Sequence, residues 1–490
     1  KAQGIESMAI LLPILFQFCN VLAFSNGISA DDETCALALH KSRATFAGYH
    51  YLAKGLPAHE LGACDSEVGL GRLEKYQQEG EEFCASGDVS SVSFSCVASW
   101  SEKSKEVAKS DDYLCRGTGM KLQLSSLSEP PSVKLYGTGT GCNWDLSEHG
   151  LQLQYFLFGN QTVPLSLQSG PITGSCDEDT ASLVLYSEYD LWNPFINQAQ
   201  AIMAFASIAA LDLDPKSLRL LLLDLDPRSE TLLLQNKPSV LVALLEGLFS
   251  QGGLAVHRGA QPQLVCADRL ILPNGGHQSF IRKTIEKDPW AAKCHNAPIV
   301  HGFAAFLKES FTVTSKLVPE NWRIILLPRH ASETHPDPFN REMENSEDVA
   351  QGLMVSETSR TSLLSERSQT ESLISALTEA GAVVQELQLE TLSVSEQLDA
   401  IANTDLLISP HSAALSWMLV LPLCAQVLEI YANRLFQFVN YANLAGVEHH
   451  FVTIAGVGWG TQKFTLDVKL IVQEALAARG RREKCLKNNL

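Results

Sequence analysis

Apolar runs alternate with segments of helical periodicity through the last third of the chain. Between residues 316 and 480, five short apolar runs have the length of buried strands, and a helical pattern follows each. This alternation predicts a parallel, doubly wound α/β sheet. The predicted strands are Trp322–Leu327, Ala382–Leu387, Asp405–Ser409, Gln426–Ile430 and His450–Ile454. The predicted helices are 371–380 (ending at Gly381), Val394–Ala402, Ala413–Leu421, Phe438–Ala445 and 466–479.

A similar pattern over residues 181–315 predicts a first α/β unit. Its expected strands and helices are Ser182–Tyr186, Gln198–Leu211, Leu218–Leu225, Leu232–Phe249 and Arg269–Leu272. Two such units in tandem favour an α/β fold of two Rossmann-like lobes with a cleft between them. Ligands of such sheets bind at the carboxyl ends of the strands.

Residues 31–180 lack this regularity and are rich in Ser, Gly and Cys. We expect an irregular, Cys-rich N-terminal region here. Gly137–Gly141 (GTGTG) lacks the Lys-Ser/Thr ending of a phosphate loop, and no helical pattern follows it. Seven of the 12 cysteines fall between Cys35 and Cys176, and the chain contains no CxxC pair. Disulfides in an extracytosolic compartment are therefore favoured over a zinc ribbon or a thioredoxin-type site.

The N-terminal segment points to the same compartment. Residues 8–24 are apolar apart from Gln17 and Asn20, and acidic residues follow. We interpret residues 1–30 as a signal peptide, with a signal anchor and a buried helix as the alternatives. The expected location is the lumen of the secretory pathway, in the Golgi or endoplasmic reticulum. Asn160 lies in an Asn-Gln-Thr sequon, where a luminal chain could carry a glycan.

Composition and charge exclude several classes of protein. The chain is 45% apolar and 19% charged, so it can build sizeable cores and is not wholly disordered. Its net charge of −18 argues against binding nucleic acid through phosphate contacts. The basic segment 481–490 is expected to be a solvated tail.

The most informative motif lies where the predicted strand Asp405–Ser409 meets a predicted helix. The turn Pro410-His411-Ser412 would place free backbone N–H groups and the positive end of a helix before a ligand, which suits a phosphate. Glu429 follows 18 residues after His411, at the end of the next strand. This spacing is close to that of an acidic residue that binds ribose in a βαβ nucleotide site. An ordinary α/β crossover remains the alternative.

The segment DLLISPHSAALSWMLVLPLCAQVLEIY, residues 405–431, resembles the signature of glycosyltransferase family 61. The family's strand, His-Gly-Ala-Gly turn, helix with a Leu-Pro end and strand ending in Glu all have counterparts here. Five further segments carry the resemblance over about residues 180–460: 187–193 (SEYDLWN), 221–227 (LLLDLDP), 322–329 (WRIILLPR), 340–345 (NREMEN) and 387–398 (LQLETLSVSEQL).

The resemblance implies a GT-B fold and an inverting transferase. Its donor would be a UDP-sugar, with GlcNAc or xylose among the candidate sugars, and its acceptor a luminal glycoprotein or polysaccharide. Carried over by motif, the following residues would bind the nucleotide sugar, Glu429 at its ribose and the others near its pyrophosphate: Arg329, Arg341, Asn345, His411, Ser412, Ala413 and Glu429. An arginine and a helix N-terminus can neutralise the leaving diphosphate, so no metal or other cofactor is expected.

The sequence departs from the family pattern at two places. The turn reads His411-Ser412-Ala413-Ala414, without the family's two glycines, which keeps the backbone further from a phosphate. Ser412 would then donate its hydroxyl or cap the helix. The first lobe lacks the family's His/Asp pattern. We therefore take Asp190 as the catalytic candidate, and the alternatives are Glu188, His277 and His301.

Other candidate groups are interpreted as structural. Asp224-Leu225-Asp226 has the Asp-x-Asp form of metal-dependent transferases, but a strand end is the favoured interpretation. His449-His450 lacks a nearby third metal ligand. Cys266 and Cys294 flank one strand–loop unit and form a candidate disulfide, whereas Cys424 is expected to be a buried free thiol.

The sequence is compatible with three hypotheses about function. The first is an active glycosyltransferase, and the second is a catalytically degenerate relative that binds sugar or protein. The third, a hydrolase or esterase, is disfavoured because the chain has no Gly-x-Ser-x-Gly nucleophile elbow.

Overall fold

The structure is a computed structural model. The described residues are 68–77, 81–85, 93–98, 113–124, 133–137, 144–145, 152–155, 161–169, 181–186, 193–215, 218–223, 239–249, 254–257, 263–273, 281, 296–314, 322–327, 370–431, 437–453 and 467–489.

The first sheet contains eleven strands. They are β1 (Glu81–Ala85), β2 (Ser93–Ala98), β3 (Tyr113–Leu124), β4 (Val133–Gly137), β5 (Trp144–Asp145), β6 (Gln152–Tyr155), β7 (Gln161–Ser169), β8 (Ala181–Tyr186), β9 (Arg219–Leu223), β10 (Leu254–His257) and β11 (Gln263–Pro273). Strands β10, β9, β8 and β11 are parallel neighbours; β8, β9 and β11 overlap the strands predicted for the first α/β unit, whereas β10 was not predicted.

The predicted irregular region contributes seven strands to that same sheet. Strand β3 pairs antiparallel with β11 along almost its whole length, and the Cys96–Cys115 disulfide crosses from β2 to β3. The prediction of irregular structure over 31–180 is therefore wrong for the described residues. Gly117 and Gly119 interrupt the apolar pattern of β3, so the sequence signal is weak, while pairing with β11 supplies the backbone hydrogen bonds.

The helices of this part lie before, between and after the parallel strands. They are α1 (Leu70–Gln77), α2 (Pro194–Ala210), α3 (Val240–Leu248) and α4 (Pro298–Ser310). Helix α2 is buried on all sides from Phe195 to Ala210, which is typical of a helix inside a core rather than on a surface. Asn193 caps it by accepting hydrogen bonds from the N–H groups of Phe195 and Ile196.

The second sheet has five parallel strands, as predicted. They are β12 (Trp322–Leu326), β13 (Ala382–Glu386), β14 (Leu406–Pro410), β15 (Gln426–Tyr431) and β16 (Glu448–Thr453). Their order across the sheet is β13-β12-β14-β15-β16. The chain thus moves outward from β12 to β13 and then returns across β12 to β14, which creates a topological switch point between β12 and β14.

Helices cover both faces of this sheet. They are α5 (370–379), α6 (Val394–Ala402), α7 (Gln437–Ala445) and α8 (Val468–Asn489), with 3-10 helices at Leu389–Thr391 and Ala413–Val420. Helix α6 begins with a capping box between Ser393 and Glu396, and Gly381 follows α5 with a φ of 84°. The prediction of an α-helix over 413–421 is corrected to a 3-10 helix.

Strict alternation along the strands separates two cores. In β14, Leu406 and Ile408 face the core that α5 and α8 complete, while Leu407 faces the opposite core. That opposite core also contains buried side chains of α2, α3, α4, α6, α7 and the Ala413–Val420 helix. The helices of both α/β units therefore pack in one contiguous core, and an open cleft between two lobes stays a prediction.

Two predictions about the C-terminal part are wrong. Cys424 is not a free thiol, because it forms a disulfide with Cys485. Residues 481–489 are not a solvated tail, because they continue α8, and Arg481 and Arg482 pair with residues at the start of the strands. A linear pattern could not reveal this pairing, since it joins residues that lie 55 and 77 positions apart.

No helix among the described residues is both long and apolar enough to span a membrane. The apolar segment 8–24 lies outside the described residues. The two disulfides indicate an oxidising environment of the kind found in secreted and luminal proteins.

Candidate functional site

The candidate site lies at the carboxyl ends of β14 and β15, beside the switch point. His411 follows directly after β14, and its backbone N–H donates to the carbonyl of Ile430 in β15 at 3.1 Å. Leu327, directly after β12, donates its N–H to the carbonyl of Ile408 in β14. The segments that follow β12 and β14 therefore begin next to each other, at the position where doubly wound sheets bind ligands.

The turn after His411 has an extended backbone and then enters a 3-10 helix. Ser412 has φ −154° and ψ 155°, and its side chain makes no capping hydrogen bond to the helix. Its hydroxyl lies instead 3.1 Å from the hydroxyl of Ser409. The first N–H groups of any helix have no acceptor within it, and those of the Ala413–Val420 helix follow directly after this turn.

Glu429 is the buried centre of the site. Its carboxylate has partners on both oxygens: Nδ1 of His411 at Oε1, and Nε2 of His449 at Oε2, 2.9 Å away. The Glu429 side chain is only 1% exposed. Burial raises the pKa of the Glu429 carboxyl, but the hydrogen bonds and charge of the two histidines outweigh burial, and its pKa lies below the ordinary value.

Alternation in the sheet brings these three side chains to one face. Glu429 in β15 stands opposite Phe451 in β16, and His449 lies two residues before Phe451 on the same face. Helices α2 and α7 and the Ala413–Val420 helix cover this face. A carboxylate buried there must be paired, because an isolated one would be costly to desolvate.

Helix α7 closes the other side of His411. The amide nitrogen of Gln437 lies 3.3 Å from Nε2 of His411, and the Phe438 ring lies 4.9 Å from the imidazole between centroids. Phe438 packs edge-on against Phe195 at the start of α2. The first turn of α2 therefore helps to fix the wall against which His411 rests.

A buried polar pair joins the same two helices. The Tyr441 hydroxyl in α7 donates to Oε1 of Gln198 in α2 at 2.8 Å, and both side chains are buried. Burial raises the pKa of Tyr441 far above its ordinary value, so the phenol stays protonated and acts as a donor. This hydrogen bond fixes α2 relative to α7 close to the site.

The structure brings together part of the residue set that the sequence predicts. His411, Ser412, Ala413 and Glu429 lie at one edge of the second sheet, as predicted. The remaining candidates lie outside the described residues: Asp190, Arg329, Arg341, Asn345, Asn160, Cys294, Glu188, His277 and Asp224-Leu225-Asp226. Cys266 lies in β11.

The role expected for Glu429 meets a geometric obstacle. Each oxygen of this carboxylate already binds a histidine, and the side chain is almost fully buried, so a ribose hydroxyl would have to enter a closed group or displace a histidine. His411 is the more accessible member, with 23% of its side chain exposed against 3% for His449. A ligand at this edge therefore meets His411 before it meets Glu429.

Sequence reasoning missed His449 and Gln437 as members of the site. The signal for His449 was the His449-His450 doublet at the start of a strand, because alternation must turn one of the two inward. His450 instead pairs with the exposed Glu448 at 3.0 Å. Gln437 carried no signal, since its proximity to His411 depends on how α7 packs.

His301, an alternative catalytic candidate, lies in α4 and away from this group. Burial, followed by the charge of Lys308, lowers the pKa of His301 to about 4. The imidazole is therefore neutral at pH 7, and its Nε2 has no hydrogen-bond partner in the described part of the chain. It packs beside Gly446, at the end of α7.

The chemistry available at the site is that of an imidazole held by a buried carboxylate. Such a ring can exchange a proton or bind an anionic oxygen. The described residues contain no group of three or more His, Cys, Asp or Glu side chains arranged to hold a metal ion.

Comparison with models of known protein families and with curated protein sequences gives no match for this chain.

Proposed function

We propose that this protein is an inverting glycosyltransferase that moves a sugar from a UDP-sugar to a luminal glycoprotein or polysaccharide. One observation carries the proposal: His411, held by the buried Glu429, lies beside the switch point of the parallel sheet with strand order β13-β12-β14-β15-β16. Nucleotides bind at such points. The sequence resemblance to glycosyltransferase family 61 centres on the same residues.

The donor diphosphate would lie over the turn that begins at His411. The Ala413–Val420 helix begins two residues after His411, so its first N–H groups would lie near the diphosphate. Arg329, three residues after the end of β12, and the segment with Arg341 and Asn345 would add positive charge and hydrogen bonds. These groups would neutralise the leaving UDP without requiring a metal ion.

The inverting reaction is what the family resemblance implies. In an inverting transfer, the acceptor hydroxyl attacks the anomeric carbon, the bond to the diphosphate oxygen breaks, and a base takes the hydroxyl proton. Asp190 is our candidate for that base. The proposed partners are a nucleotide sugar and a glycan or glycoprotein, and the proposed compartment is the Golgi or endoplasmic reticulum.

The second candidate function is a catalytically degenerate relative that binds sugar or protein. Two observations favour it. The turn has Ser412 and Ala414 where the resembled family has glycine, and Glu429 already has a partner on each oxygen. A binding module would keep the shape of the donor site without turnover.

The test is binding and hydrolysis of a panel of UDP- and GDP-sugars by the purified chain. Arg329→Ala and His411→Ala are expected to lower the affinity for one UDP-sugar by at least tenfold. His450→Ala is the matched control, since its imidazole lies in the same strand as His449 but pairs with an exposed carboxylate. Binding without turnover would favour the degenerate relative, and no binding of any donor would refute the transferase.

A further inference from the structure

We propose that Glu429 is a positioning residue, which acts on the donor's diphosphate through His411 rather than by binding ribose. This inference rests on the proposed function, and it reassigns the role of the acidic residue at the end of β15. It also adds Gln437 to the site as a direct ligand of a phosphate oxygen.

The first step is that both oxygens of Glu429 already have a partner and the carboxylate is buried. His411 occupies Oε1 and His449 occupies Oε2, and 1% of the side chain is exposed. A sugar hydroxyl that displaced either histidine would leave a ring N–H without its acceptor, which is costly for a buried group. The arrangement therefore favours the hydrogen bonds of Glu429 with His411 and His449 over a hydrogen bond with a sugar.

The second step is that this carboxylate fixes which ring atom of His411 faces outward. An ionised carboxylate only accepts hydrogen bonds, so Nδ1 of His411 carries the hydrogen that Glu429 receives. Nε2 is then the ring nitrogen on the side of Gln437, whose amide nitrogen lies 3.3 Å from it. The ring cannot flip without breaking the bond to the buried carboxylate.

The third step is that Nε2 and the Gln437 amide form a pair suited to a phosphate oxygen. The amide nitrogen has two hydrogens, of which one can reach Nε2 and the other can reach a ligand. When the ring carries both protons, Nε2 donates to the ligand instead of accepting from the amide, so that His411 and Gln437 each supply a donor. Two donors beside the first N–H groups of the Ala413–Val420 helix match the several oxygens of a diphosphate.

The fourth step is accessibility. Of the three side chains in the group, only His411 has substantial exposure, at 23%, against 3% for His449. Any effect of Glu429 on a ligand must therefore pass through the imidazole of His411. His449 secures the carboxylate from the opposite side.

The experiment measures binding of UDP, uridine and inorganic pyrophosphate to the full chain by calorimetry. The variants are Glu429→Gln, His411→Asn, both together, and His450→Asn as the control. We expect Glu429→Gln to weaken UDP and pyrophosphate at least tenfold and to leave uridine unchanged. In the His411→Asn background, Glu429→Gln should have no further effect, since both substitutions remove one function.

The outcomes separate the two proposals. Weaker uridine binding in Glu429→Gln, or an effect that persists without His411, would assign Glu429 to ribose and overturn this inference alone. A wild-type chain that binds neither UDP nor pyrophosphate would overturn both. Glu429→Asp is the second variant if Glu429→Gln does not fold, because its shorter carboxylate cannot reach both histidines. Gln437→Ala should weaken pyrophosphate about threefold or more.

Discussion

The two ends of the second sheet each contain a buried carboxylate, and they use it differently. At the carboxyl ends of the strands, Glu429 is held by two imidazoles, one of which remains partly exposed. At the amino ends, Asp405 is fully buried and accepts from the backbone N–H of Arg323 at 2.8 Å and from Nη2 of Arg482 at 2.7 Å. Glu429 therefore contacts a partly exposed imidazole, that of His411, whereas the partners of Asp405 enclose its carboxylate.

The amino end is closed by the C-terminal half of α8. Arg481 donates to Oε1 of Gln426 and pairs with Glu448, both at 3.2 Å, and the Cys424–Cys485 disulfide joins α8 to the loop before β15. Arg479 of the same helix lies over the Trp322 ring at 5.3 Å. The amino end of the sheet is thus held by arginine contacts and a disulfide. The carboxyl end instead presents the partly exposed imidazole of His411, which a ligand can reach.

Breaking the amino end should give the largest effect. Asp405→Ala leaves Arg482 without its buried partner, and we expect a loss of about 3–5 kcal/mol in the free energy of unfolding. Chemical denaturation measures this loss. UDP affinity per folded molecule should not change, and a matching loss of UDP binding would contradict the separation of the two ends.

The control for that substitution is Glu483→Ala. Glu483 pairs with Arg479 on the surface of α8, with 54% of its side chain exposed. An exposed pair four residues apart contributes about 0.3–0.5 kcal/mol. An equally large loss in both variants would mean that α8 itself, rather than Asp405, is the sensitive feature.

Removing the disulfide at the amino end should give the next largest effect. It closes a loop of 61 residues, and loops of this size stabilise by roughly 2–4 kcal/mol through the unfolded chain. Cys424→Ala combined with Cys485→Ala should therefore lower the midpoint of thermal unfolding, measured by calorimetry. An unchanged midpoint would show that the charged contacts alone hold α8.

The two carboxyls should also respond to pH with opposite signs. Glu429, with its pKa lowered from 4.5, stabilises the fold above that pH, and this contribution is lost as pH falls through the lower folded pKa. Burial raises the pKa of Asp405 above 3.8, against the hydrogen bond from Arg323 and the charge of Arg482. Asp405 therefore contributes more at low pH, and its contribution is lost as pH rises through the raised value.

Urea denaturation from pH 3 to pH 6 measures this difference. The stability advantage of the wild type over Glu429→Gln should shrink on acidification. Its advantage over Asp405→Asn should grow over the same range. If both stability advantages changed in the same direction with pH, the two carboxyls would not differ in the sign of their pKa shifts.

The smallest expected effect compares adjacent histidines in β16. His449→Asn removes a donor from a buried carboxylate and should cost about 1–2 kcal/mol. His450→Asn removes an exposed partner of Glu448 and should lie within about 0.5 kcal/mol of the wild type. Thermal unfolding of the two variants measures the difference, and equal losses would contradict the inward orientation of His449.

The second sheet was predictable because its signals are local. Helix α6 matches its predicted bounds Val394–Ala402, since Ser393 and Glu396 form a capping box and its apolar residues recur at helical spacing. The strands of this sheet are nearly continuous apolar runs, as buried parallel strands require. The N-terminal strands were not predictable, because β3 owes its length to pairing with β11, about 150 residues further along the chain.

The parallel sheet, its helices, and the position of His411 and Glu429 at the ends of successive strands could all be read from the local pattern of residues. Each of these follows from the period of a strand or helix and from the rule that parallel strands end at one edge. Only the tertiary structure decided that Glu429 holds two histidines, that Gln437 faces His411, and that Cys424 pairs with Cys485. Those contacts depend on how α7 and α8 pack against the sheet, and side-chain packing between distant elements leaves no period in the sequence.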